Sequence, residues 1–101
     1  MLLRENVHNA TVNALEDRLR EIHPNDEIFT DYEYGKGSAT SGQVDLYRIS
    51  EHGRFYFYEV KTGKPKFKNA QEQFDRFKKH FPEYAAKGIY VHPEHGIKRL
   101  K

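Results

Sequence analysis

Four positions in the middle of this chain have the types and spacing for metal-assisted phosphodiester chemistry. They are Asp45 and, fourteen residues later, the tripeptide Glu59-Val60-Lys61. Glu59 and Lys61 close the apolar run Arg54-Phe-Tyr-Phe-Tyr-Glu-Val-Lys61, which reads as a strand. Strand side chains alternate, so Glu59 and Lys61 share a face while Val60 enters the opposite layer. Charged groups at the end of a buried strand cost desolvation energy unless something uses them. Two carboxylates supply the hard oxygens that Mg²⁺ or Mn²⁺ prefers, and the Val60 carbonyl is a further candidate oxygen. A lysine beside such an ion holds water in line or stabilises developing negative charge. The plainer reading of the same residues is a Glu59–Lys61 ion pair at a sheet edge.

The surrounding elements follow from periodicity. Residues 3–22 predict a helix with Glu5, His8, Val12, Leu15, Leu19 and Ile22 on one face. His23-Pro24 ends it, because a residue preceding proline is driven out of the helical region. From Glu27 to Tyr34 the alternation predicts a strand with Ile28, Thr30, Tyr32 and Tyr34 on one side. Residues 35–42, with three glycines, predict a flexible polar loop. Strands over about 43–50 and 54–61, joined by Glu51-His52-Gly53, predict an antiparallel hairpin. Gly63-Lys64-Pro65 breaks the chain before a second helix from about Asn69 to Ala86. Its apolar face is Ala70, Phe74, Phe77 and Phe81, with Pro82 kinking it or splitting off its last turn. Gly88–His92 predicts a short buried strand, and Ile97–Leu100 one further segment. The expected fold is α/β in αβββαβ order, a mixed four- or five-stranded sheet flanked by helices with a right-handed crossover.

Composition sets the frame. A chain of 101 residues suits a single domain spanning 1–101. Aromatic residues reach 14%, which excludes a disordered chain despite the polar average. The absence of cysteine excludes disulfides, thiolate zinc sites and a cysteine nucleophile. The start is too quickly charged for a signal peptide and no apolar run spans a membrane, so an intracellular, cytoplasmic protein is expected. Charge is segregated: residues 61–80 hold seven basic side chains against two acidic, and residues 16–33 the reverse. A basic segment starting at the carboxylate pair suits a polyanionic partner. Lys64, Lys66, Lys68, Arg76 and Lys79 are candidates for nucleic-acid backbone contacts, with Lys36 in the glycine-rich loop.

Asp45, then Glu59-Val60-Lys61, within an αβββαβ order, resembles the PD-(D/E)xK nuclease superfamily, which includes restriction endonucleases, archaeal Holliday junction resolvases and small viral VRR-type nucleases. The resemblance covers roughly residues 5–92. It implies that Asp45 and Glu59 bind Mg²⁺ or Mn²⁺ and that Lys61 positions or activates the attacking water. It also implies a polar residue on the following helix aimed back at the site. Gln73, followed by Phe74, fits that place better than Gln71. A first-helix acid is common in the family; here Glu5 is the candidate metal or water ligand and His8, one turn later, its neighbour. Val44 stands where the family has a proline.

By this resemblance the chain is expected to be a metal-dependent DNA endonuclease selective for branched or nicked structure, resolvase-like, with a homodimer as the expected assembly. The alternatives are a nick, flap or single-strand nuclease, or a nucleic-acid-binding module of the same fold without catalysis. His92 and His95, around Pro93, are expected as exposed turn residues, and Tyr32 and Tyr34 either as core and cross-strand partners or as a base-stacking surface.

Overall fold

Helix, hairpins and crossover form in the expected order, and the further segment at Ile97–Leu100 is the fifth strand of the sheet. The computed structural model describes residues 4–36 and 39–101, with side chains described for 7–35 and 42–101. The elements are α1 (Arg4–Ile22), β1 (Glu27–Lys36), β2 (Ala39–Ile49), β3 (Phe55–Val60), α2 (Phe67–His80), a 3₁₀ turn (Pro82–Tyr84), β4 (Lys87–His92) and β5 (Gly96–Leu100). The five strands lie in chain order across one sheet. All neighbours are antiparallel except β3 and β4, which are parallel because α2 crosses between them. Among the described residues, no helix is long and apolar enough to cross a membrane.

The helices cover opposite faces of the sheet, as the strand alternation demands. On one face Val12 and Leu19 of α1, with half-buried Leu15, pack against Ile28, Leu46, Tyr58, Val60 and Val91. Ile22 does not join them and is 53% exposed. At 3.6 residues per turn it lies roughly 80° around the axis from Val12, at the rim of the buried stripe. On the other face Ala70, Phe74 and Phe77 of α2 pack on Phe55, Phe57, Tyr90 and Leu100. Gly88 allows that approach, since a Cβ there would lie 2.5 Å from the Phe74 ring. Helix α2 stops at His80 rather than Ala86, because Phe81 precedes a proline and takes an extended φ of −128°.

Two expectations for the first hairpin are corrected. Residues 35–42 do not form a loop throughout, since β1 runs to Lys36 and β2 begins at Ala39. Nor does β1 keep one alternation: Ile28 faces α1, but Tyr34 packs on the α2 side among Phe77, His80 and Phe81. The partner strand switches at the same level, with Leu46 on the α1 side and Val44 on the α2 side. The switch falls between the pairs Thr30↔Leu46 and Tyr32↔Val44, at Asp31 and Asp45. Asp31 has φ +54°, a left-handed conformation that rotates the following side chains to the other face.

Candidate active site

The site opens where the β2–β3 ladder stops. Pairing between these strands runs from Ile49↔Phe55 to Leu46↔Tyr58 and goes no further. The next strand N–H, that of Val60, donates to the Asp45 carboxylate instead, with Oδ2 at 2.9 Å. A side chain thus replaces a main-chain acceptor, satisfying a buried N–H while the strands separate. On the α1 side, His8 Nε2 approaches the other Asp45 oxygen at 3.3 Å. Asp45 is therefore held from two directions, and it is buried.

Glu59 is buried more deeply, at 3% exposure. Its neighbours are Lys61, with Nζ 3.5 Å from Oε1, and Gln73. With its amide nitrogen turned toward the carboxylate, Gln73 donates to both Glu59 oxygens, at 2.9 Å to Oε2. Burial, reinforced by the Asp45 charge and a hydrogen bond with Asp45, pushes the Glu59 pKa up to about 9, and Lys61 only partly offsets this. Two crowded carboxylates, one of which resists ionisation, form a pair that a cation would relieve.

These groups line one open groove of about 560 Å³. The sequence candidates His8, Asp45, Glu59, Val60, Lys61, Lys66 and Gln73 all border it. So do Asn9, Asp31, Gln43 and Thr62, which the sequence did not single out. Asp31 was hidden by the assumed alternation, which set it with Phe29 and Glu33 opposite Ile28 and Tyr34; its left-handed backbone, at the point where the faces exchange, brings it to the groove. Gln71 is engaged elsewhere, its side chain bonding both the N–H and the carbonyl of Lys101. Glu5 lies in α1, but its side chain, like that of Lys36, falls outside the described residues. Arg76 sits near enough to Tyr34 for its charge to be felt at the phenol. Lys64, Lys68 and Lys79 are exposed and do not line the groove. At 100° per residue, Lys68 and Lys79 lie roughly 120–140° around α2 from Gln73, on its outward side.

His92 departs most from expectation. It is buried at 2% exposure rather than displayed in a turn, whereas His95 is exposed. Tyr34 is core and Tyr32 packs edge-on against Tyr47 as a cross-strand partner.

The donor set suits a hard divalent cation. Among the described residues, no three His, Asp or Glu side chains gather closely enough to enclose an ion by themselves. Mg²⁺ does not require that, because it retains waters and commonly takes one or two carboxylates plus substrate phosphate. Asp45 and Glu59 would hold it, and the oxygen-only chemistry of these donors fits.

No protein-family model matches the sequence, and no curated protein matches it. Among solved structures, the fold is similar to that of a repair endonuclease from Pyrococcus abyssi, with a TM-score of 0.57 at 20% identity. The likeness covers 82% of this chain but only 36% of that one. At this identity it shows a shared fold, the mixed five-stranded sheet between two helices.

Proposed function

We propose that this chain is a PD-(D/E)xK-type nuclease that hydrolyses DNA phosphodiester bonds with Mg²⁺ or Mn²⁺. The observation that carries this reading is the convergence of Asp45, Glu59, Lys61 and Gln73 on one polar groove, at the point where two strands part. Such an ion, when bound, lowers the pKa of water and neutralises phosphate charge. The chain's own groups do the rest. Lys61, anchored to Glu59, sits where it can hold the attacking water in line and stabilise charge on the phosphoryl oxygens. Gln73 fixes the orientation of Glu59, His8 that of Asp45, and Lys66 supplies a positive charge at the groove wall for a backbone phosphate. The similarity to a repair endonuclease fold supports the same reading at a coarse level.

Branched or nicked DNA is the substrate we infer, engaged by two copies that present paired grooves. The test is incubation of the pure chain with four-way junction, nicked, linear duplex and single-stranded DNA, in Mg²⁺, Mn²⁺ and EDTA. Metal-dependent cutting that disappears in Glu59→Gln is expected. Salt-sensitive binding with no cutting in any divalent ion would instead make it a binding module.

A further inference from the structure

Lys61, Thr62 and Lys66 border the groove from one short segment between β3 and α2. The segment holds Gly63, with φ +79°, and exposed Lys64 and Pro65, and its start is tied to β4 by the Lys61 N–H, which donates to the Val91 carbonyl at 3.0 Å. Two side chains of β4 hold it from outside. His92 Nε2 lies 2.8 Å from the Gly63 carbonyl, and the Tyr90 hydroxyl accepts the Lys66 N–H at 3.4 Å. On its other edge, His92 Nδ1 accepts the N–H groups of Glu94 and His95, at 3.1 and 3.2 Å. Because Nδ1 faces two donors, the ring proton resides on Nε2 and is given to Gly63. A buried ring satisfied on both edges is a clamp between the β4–β5 turn and the segment that follows Lys61.

We propose that His92 is a positioning residue for the candidate site. By fixing Gly63 it sets the path of the chain that leaves Lys61, adding a second tie beside the Lys61 N–H bond to Val91, and so steadies Lys61 relative to Asp45 and Glu59; it touches neither substrate nor ion. This inference rests on the nuclease reading for its catalytic consequence but not for its structural one. Misplacement of a reacting group by about 1 Å costs on the order of 100-fold in rate. Losing the clamp therefore acts mainly on turnover.

Two substitutions separate the ring's two edges. His92→Asn places its carbonyl oxygen near the position of Nδ1 and keeps the turn, but does not reach Gly63. His92→Gln places an amide nitrogen near Nε2 and keeps the hydrogen bond to Gly63. Hydrogen exchange at the Lys61 and Lys66 amides, melting temperature, and the kcat and KM of DNA cutting are measured for both. The expected result is about 10-fold or greater loss of amide protection and of kcat in His92→Asn, with KM little changed and recovery in His92→Gln. Unchanged loop protection in His92→Asn would overturn the proposal. So would equal losses in both variants that track their melting temperatures. If the parent chain cuts no DNA, the nuclease reading falls and the exchange data alone decide whether the clamp exists.

Discussion

The Asp45 carboxylate accepts the main-chain N–H of Val60, so one residue both ends a strand pairing and lines the groove. Its two oxygens are divided between these tasks, Oδ2 toward Val60 and Oδ1 toward His8 and the groove. This double use means that charge and structure can be removed separately.

Asp45→Asn keeps an oxygen for Val60 and deletes the charge, so it is expected to fold like the parent and to cut about 100-fold more slowly or worse. Asp45→Ala leaves a buried N–H without a partner and is expected to lose about 1–3 kcal/mol of stability as well. Denaturant unfolding set beside cleavage rates checks the pair. Equal stability of the two variants would refute the structural half.

Glu59 predicts an unusual pH dependence. Burial first, then Asp45, raises its pKa from 4.5 to about 9. Across that window the folded protein keeps a proton that the unfolded chain releases. Its contribution is therefore greatest at low pH and is lost as pH rises, by at most roughly 1.4 kcal/mol per unit. Without metal, Glu59→Gln is expected to be the more stable protein near the top of the window and to show a flatter profile. Added Mg²⁺ should stabilise the parent there and release a proton on binding, which calorimetry in buffers of different ionisation enthalpy measures. A parent whose stability rises across the window would contradict the assignment.

The placement of the lysines gives a binding prediction. Lys66 borders the groove, whereas Lys79 lies on the outward side of α2. Lys66→Glu is expected to weaken DNA binding and to lower the salt slope by about 0.7–0.9 for each phosphate no longer neutralised. Lys79→Glu should leave the slope unchanged. Anisotropy titrations over a range of salt concentrations, in EDTA, decide between them, and equal effects would mean the DNA path crosses the helix.

Asp31 tests the face switch. Its φ of +54° suits glycine and opposes β-branched side chains. Asp31→Gly is expected to retain or gain up to about 1 kcal/mol of stability, and Asp31→Val to lose about 1–2 kcal/mol. Unfolding midpoints give the comparison. If valine were tolerated as well as glycine, the left-handed turn would not be what exchanges the faces.

Much of this was legible before folding. The order of elements, the β2–β3 hairpin and the phenylalanine face of α2 depend on spacings of two to four residues. So does the shared direction of Glu59 and Lys61. Residue types at such spacings fix these features, because the interacting neighbours are close in the chain.

Other features were not legible, and each depends on groups far apart in sequence. The exchange of faces at Asp31 and Asp45 requires one left-handed residue and the register of a second strand opposite it. His92 lies beside turn residues and reads as exposed; it is buried because the segment after Lys61 passes over it. The raised Glu59 pKa arises from the closing of two layers around it and from Asp45, against the partial offset of Lys61. The sequence by itself determined which elements form and which chemistry-bearing side chains each one carries. Tertiary structure alone decided which of them meet, since burial, register and the coupling of charges are set by interactions that exist only after distant segments pack together.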